Sequence, residues 1–545
     1  MTPTALHALA ESLWLWVVVP AIALAGLTLT VRLRAPQVLR LRVAWRALGD
    51  EDPGAGGTVP PAAAVALSLA ATHGAAAAVG AATAVGLGGP GALPWVWTLA
   101  FLLAPLRFGE ALLARTAPPG GAARGVPGSL AARLARDGGW RTAGRALAAL
   151  LAVAALLLGA GLHGAAAAEA TLGVVPDALP YVVAGVAVVA LALALAPPAR
   201  VAALAGYAVL VALVLVFAVA LLAALSDPGG VVPALSRALG DVFAGAAETG
   251  AWTGAFAGEI ARAGVVSASA PLVAAGGSTG ALDALGRARS TRAQAAAALL
   301  GPLVYALVVT VVGVAITATG AFFTRAPGAR TLDELVVLSS AYETASQRRE
   351  PERYRNGFLR IREGRLRDVS LSLATERGVL EGPRFTYYGR PADLAAETRE
   401  GRVVRLMRNQ GQALKEIPVR QAARVVVEAE LLPTRGHLLA VTAAKAPGGR
   451  VAAQAMLAAL AVLAALGAGA LGLGVRRTLE ETFGRAAGWV GGCLPAVGMF
   501  ALVALRGGPL GAWLEPSAVL AAGLLGATVA LVLLVRSGEI ARLDR

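Results

Sequence analysis

Residues Leu67–Trp97 read LSLAATHGAAAAVGAATAVGLGGPGALPWVW. The stretch starts as an apolar helix and passes through a run, His73 to Ala82, in which side chains almost vanish. It leaves through the turn Gly88-Gly89-Pro90-Gly91 and resumes as an apolar segment at Trp95 and Trp97. A helix this poor in bulk lets other helices approach its backbone closely. It is either a wall of a midplane site, as in secondary transporters, or a tightly packed rod in an alanine-rich bundle.

The flanking sequence is built the same way. Of 545 residues, 57% are hydrophobic and 15% charged; a soluble domain carries about 25% charged residues. Apolar runs of bilayer-crossing length recur along the chain. Backbone groups in lipid must be satisfied within the segment, so the spans are helices. The quoted stretch is the second of eleven expected spans. The others fall near 13–31, 94–114, 146–162, 181–195, 201–225, 232–275, 295–318, 451–475, 486–505 and 516–535. Trp14 and Trp16 in the first span have the placement of interface anchors. No small-residue cleavage site follows it, so it is not read as a cleaved signal peptide.

The net charge of +15 does not mark a nucleic-acid binder, because many arginines fall in alternate short loops. Arg32, Arg34, Arg40, Arg42 and Arg46 follow the first span; Arg124, Arg133, Arg136 and Arg141 follow the third. Arg287, Arg289, Arg292, Arg476, Arg477 and Arg485 continue the alternation. The positive-inside rule then puts the N-terminus outside the cell and the C-terminus, with Arg536, Arg542 and Arg545, in the cytoplasm. The sole cysteine, Cys493, excludes an intrachain disulfide framework and a cysteine-cluster metal site. Neither a nucleophile–base pair nor a phosphate loop is legible, so the chain is not read as an enzyme and needs no cofactor.

Two places break the pattern. Val232–Ala275 mixes short apolar pieces with Asp241, Glu248, Glu259 and Arg262. It reads as a seventh span made of half-helices, interrupted at Gly264–Pro271, where freed helix ends and carbonyls suit ions or carboxylates. Glu110, near the end of the third span, is either a buried functional carboxylate or an interface residue beside Arg107 and Arg115. From residue 322 to 450 the chain turns polar. Phe358–Leu373 alternates about Glu363-Gly364, and Val404–Asn409 and Ala413–Val419 flank Gln410-Gly411. Both read as β-hairpins, and Ala423–Leu432 alternates again. The expected organisation is helices 1–8 over 1–321, a small β-rich extracytoplasmic domain over 322–450, and helices 9–11 over 451–545. The inserted domain has room for an extracytoplasmic ligand or protein partner, and its basic residues are either a docking face or ordinary solvated charge.

These residues resemble the alanine/glycine:cation (sodium:alanine) symporters. Leu69–Trp97 aligns without a gap on that family's second span, with Gly74, Gly80, Ala82, Thr83, the Gly88-Gly89-Pro90-Gly91-Ala92 turn, Trp95 and Trp97 in register. Thr30, Gln37, Glu110, Ala114, Gly125-Val126-Pro127, Ser269-Ala270-Pro271, Gln294 and Gly301 also fit. The resemblance implies an all-α LeuT-type bundle, an inverted repeat of five plus five helices with one extra span, here the first. It also implies symport of a small neutral amino acid such as alanine or glycine, bound between spans 2 and 7. The candidate substrate and ion residues are then Thr72, His73, Gly74, Ala75, Ala77, Gly80, Ser267 and Ser269.

The sequence departs from the family where ligands are expected. Ala75-Ala76-Ala77 stands for Thr-Gly-Asn, Gly164–Ala168 for a stretch with Gln and Asn, and Tyr305 for an Asp. Val451–Gly474 has no hydroxyl side chain. His73 is either a titrating group that exchanges sodium coupling for proton coupling or a histidine bonded to a neighbouring helix. Two functions follow: a cation-coupled amino-acid transporter, or a non-transporting relative that senses or scaffolds through residues 322–450.

Overall fold

The computed structural model describes residues 3–54, 57–116, 128–174, 178–240, 259–274, 276–321, 326–331, 336–338, 358–363, 365–366, 372–375, 378–387, 390–399, 402–410, 413–416, 425–433, 435–505 and 513–545. The first half of the bundle comprises α1 (Leu9–Arg32), α2 (Pro61–Gly88), α3 (Leu93–Ala114), α4 (Arg141–Leu158), α5 (Ala165–Val174), α6 (Leu179–Leu195) and α7 (Pro198–Leu225). Then come α8 (Pro228–Gly240), α9 (Glu259–Ala274), α10 (Thr279–Asp283) and α11 (Leu300–Ala318). After the strands follow α12 (Arg435–Ala444), α13 (Arg450–Phe483), α14 (Arg485–Leu505), α15 (Leu514–Val535) and α16 (Ser537–Leu543).

Among the described residues eight helices are long and apolar enough to cross a membrane, nine if the bent α2 counts as one span. The chain is a largely helical, multi-pass membrane protein. The eleven expected spans differ from this in two places. The apolar helix α6 has only 17 residues. The described part of 232–275 forms two helices shorter than a full span, α8 with 13 residues and α9 with 16.

The Leu67–Trp97 stretch occupies the centre. Packed against α7, α9, α11 and α13, α2 buries nearly every described side chain, Ala75 and Ala77 completely. Proline at its first position starts it. It ends where Gly89 takes φ +68°, a conformation that costs glycine little, and a short 3-10 turn, Pro90–Ala92, leads into α3. The helix bends by 43° between Pro61–Thr72 and Ala75–Gly86, so the change of direction falls at His73-Gly74, beside a glycine.

The interruption expected at Gly264–Pro271 lies elsewhere. Those residues are helical in α9, with Pro271 inside it. The chain breaks just beyond, in a turn over 276–278 where Gly277 has φ +87°. A proline within a helix removes one hydrogen bond, whereas a left-handed glycine redirects the chain altogether. Trp14 also departs from expectation. It is 1% exposed and its indole donates to Val519 O at 2.9 Å; Trp16, at 75% exposed, keeps the outward position of an anchor.

The strands are β1 (Ala326–Thr331), β2 (Val336–Leu338), β3 (Phe358–Arg362), β4 (Arg365–Leu366), β5 (Ser372–Thr375), β6 (Gly378–Tyr387), β7 (Arg390–Pro391), β8 (Leu394–Arg399), β9 (Arg402–Gln410), β10 (Ala413–Glu416) and β11 (Val425–Pro433). They form one antiparallel sheet ordered β1-β11-β6-β5-β2-β9-β8-β3-β4, with β10 on β9 and β7 on β6. Both expected hairpins are present: β3 pairs β4 across Glu363, and β9 pairs β10. The end of the polar segment is not sheet. Helix α12 packs on α2, α5 and α13 and buries Leu438 and Leu439. Lys445 Nζ donates to Thr319 O at 2.9 Å, so the chain leaves and rejoins the bundle at neighbouring points.

Candidate functional site

A small cavity of about 50 Å³ opens where the second half of α2 meets α5 and the end of α9. Ala76, Val79, Gly80 and Thr83 form one wall. Gly161 and Leu162, on a π-helical turn at Gly159–Gly164, and Ala165, Ala166 and Glu169 of α5 form the opposite wall. Pro271 and Val519 complete it. Most of this lining is methyl group and backbone. The Thr83 hydroxyl donates to Val79 O at 2.8 Å on its own helix, so its lone pairs are what it offers the cavity.

Of the residues expected to bind, Gly80 lines this cavity. Thr72 is buried and turns its hydroxyl back onto Ser68 O at 2.8 Å and Leu69 O at 3.1 Å. Ala75 and Ala77 are in the packed core. Ser269, two residues before Pro271, is fully buried, and its Oγ has no hydrogen-bond partner among the described residues. The side chains of His73, Gly74 and Ser267 lie outside the described set. Tyr305, fully buried in α11, donates its hydroxyl to Ala268 O and so clasps α9 from the other side.

A polar cluster lies at the break between α9 and α10. Glu110 is 1% exposed and, as its neighbourhood in the sequence led one to expect, sits beside Arg107. It accepts from Arg107 Nη1 at 2.8 Å, Gly277 N at 2.8 Å and Gly280 N at 3.2 Å. Arg107 also donates to Thr279 Oγ1 at 2.9 Å and Leu272 O at 2.8 Å. One ion pair on α3 therefore holds both sides of the break. Next to it Ser68 of α2 donates to Asp283 Oδ1 at 2.7 Å. Asp283 belongs to α10, outside the spanning helices, and burial pushes its carboxyl up to about 7. Arg115 donates to Gly286 O.

Sequence reasoning passed over two of these groups. Asp283 sits in TGALDALGR, which reads as a loop. His163 sits in GAGLHG, at the end of an expected span. It is 3% exposed, and its Nδ1 has no partner among the described residues. The signal was local: a histidine in a glycine-rich stretch between apolar runs, which the structure shows to be a π turn of the kind that recurs at functional sites.

Residues 1–345 match the profile of the sodium:alanine symporter family. Over 89 residues the chain is 39% identical to an uncharacterized transporter of Haemophilus influenzae, covering 16% of this chain and 20% of that protein. The chain thus spans about a fifth of the length of the curated relative it matches.

Proposed function

Because this chain belongs to the sodium:alanine symporter family, we propose that it is a secondary active transporter of small neutral amino acids such as alanine or glycine, driven by sodium or protons. It is not an enzyme, since the family is one of transporters. The observation that carries the reading is the cavity beside Gly80 and Pro271. Its volume of about 50 Å³ suits a few water-sized groups, so a larger side chain would have to displace helices. The α2 bend next to it supports a site at a break in a span. The family's LeuT-type inverted repeat is the architecture in which such a break would be used.

Sodium requires several oxygen ligands. With alanines lining the wall, backbone carbonyls, Thr83 and Glu169 would have to supply them.

In this reading 1–321 and 451–545 form the membrane unit and 322–450 an extracytoplasmic domain, with the N-terminus outside and the C-terminus cytoplasmic. One structural relation supports the orientation. Three arginine-bearing loops meet at α16 and at Asp544 just beyond it, through Arg40–Asp544, Arg133–Glu539 and Arg292 to Leu543 O. Charge-rich loops gathered at one end are what the positive-inside rule describes.

The methyl-lined cavity and the sheet also favour a second reading, a non-transporting relative that acts through the sheet. Uptake of labelled alanine or glycine into liposomes containing the purified protein separates the two. Uptake under a sodium or proton gradient is expected for the first; folded protein inert under both supports the second.

A further inference from the structure

Two carboxylates are buried within the same cluster, and the fold treats them oppositely. Glu110 is satisfied by one guanidinium and two backbone N–H groups. Asp283, 2% exposed, has the single hydroxyl of Ser68. An ionised carboxylate out of water and held by one neutral donor is costly, whereas the protonated acid is not.

The groups around Asp283 do not remove that cost. On α3, Arg107 and Arg115 attract the carboxylate through space and offset part of the burial, but their hydrogen bonds go elsewhere, from Arg107 to Glu110, Thr279 and Leu272 O and from Arg115 to Gly286 O. Glu110 itself adds a like charge. On the helix Thr291–Ala298, Gln294 is neutral. On α13, Gly474 faces Ser278 and Leu282, while Arg477 pairs with Glu481 and Arg476 bonds the carbonyls of Ala194 and Leu195. On α2 the facing polar group is Ser68 itself.

Ser68 lies in the half of α2 before the bend, and Asp283 ends the short helix after the break that follows α9. The hydrogen bond therefore joins the two interrupted elements of the bundle. We propose that Asp283 is a proton-binding site whose occupancy is tied to closure of α2 over α10. With the two helices together the carboxyl holds its proton. When they part, water enters, the O–H bond breaks, the proton leaves to that water, and the negative charge remaining on Asp283 is solvated beside Arg115. Closure takes up one proton by the reverse step. Thermodynamic linkage then makes a proton gradient drive the conformational change. The raised carboxyl agrees with this geometry. The inference rests on the transport reading and narrows its coupling ion to the proton.

The test uses the full chain in liposomes. Counterflow of labelled alanine or glycine, with no ion gradient, asks only whether the protein transports; its absence in the wild type counts against the transport reading, not against the proton site. Asp283→Asn is expected to keep counterflow and to lose roughly tenfold or more of the accumulation driven by a pH gradient. Accumulation equal to wild type overturns the proposal. Independently of substrate, infrared difference spectra between acid and alkaline pH are expected to show a carboxyl band that titrates near neutrality and is missing in Asp283→Asn. If Asp283→Asn fails to fold, Ser68→Ala serves instead: losing the hydrogen bond should move the titration upward. A band that titrates in the ordinary carboxylate range, or one unmoved by Ser68→Ala, overturns the proposal.

Discussion

Gly467 of α13 stands where any side chain would strike His163. A Cβ built there would lie 2.7 Å from the imidazole Cε1 and 2.8 Å from Nδ1, and 2.8 Å from Ala70 O of α2. The missing side chain lets three elements meet around one buried imidazole. Gly467→Ala is expected to destabilise the protein by about 1–3 kcal/mol, the usual cost of overpacking. His163→Ala in the same chain should recover part of the loss, since the ring moves out of the way and the carbonyl does not. Thermal melts of the two single variants and the double variant in detergent read the coupling.

Arg107→Ala leaves Glu110 buried without its counter-charge. Truncating one partner of such a pair costs about 3–5 kcal/mol. The double variant Arg107→Ala with Glu110→Ala should be less damaged than Arg107→Ala alone, because no stranded charge remains. Melting temperatures of the three proteins decide this.

Ala76→Val adds bulk directly to the cavity wall that Ala76 shares with Val79, Gly80 and Thr83. Uptake of alanine should fall while the melting temperature stays within a few degrees, because the added methyls enter space that is already empty. A protein that loses its fold instead would show that this wall has no slack.

Glu539 accepts from both Arg133 and Arg536. Glu539→Gln keeps the shape and removes the charge. A loss of about 1–2 kcal/mol is expected, above the value for an exposed pair because Arg133 is buried. Proteolysis of α16 should become faster.

Asp283 gives a pH dependence whose sign follows from its raised carboxyl, about 7 in the folded protein against 3.8 ordinarily. The folded state binds the proton more tightly than the unfolded chain, so stability falls as pH rises from the ordinary carboxyl range to about 7 and is level above that. Asp283→Asn should lack this decline and melt higher than wild type at alkaline pH. Melting curves across the pH range test it.

The second span could be read from sequence because its signal is local. An apolar helix ending in the Gly88-Gly89-Pro90-Gly91 turn and a surface of methyls and hydrogens follow from residue type and short-range backbone preference; the start at Pro61 was seen only in the structure. The hairpins about Glu363 and Gln410 are equally local, set by period-two alternation. The interruption of the seventh span was misplaced because Pro271 and Gly277 both look like breakers in one dimension. Only packing shows that α9 carries its proline, held through Ala268 O by Tyr305, while the chain turns at Gly277.

The apolar spans, their arginine-rich connections and the polar segment with its strands were fixed by composition and periodicity, since each reflects how a residue partitions between water and lipid. The partners of buried polar groups were not. Ser68 and Asp283 are 215 positions apart, and Arg107 and Thr279 are 172. Such pairs exist only once helices have been brought side by side, so tertiary structure alone decided that Glu110 is neutralised, that Asp283 is not, and that His163 lies against the gap left by Gly467.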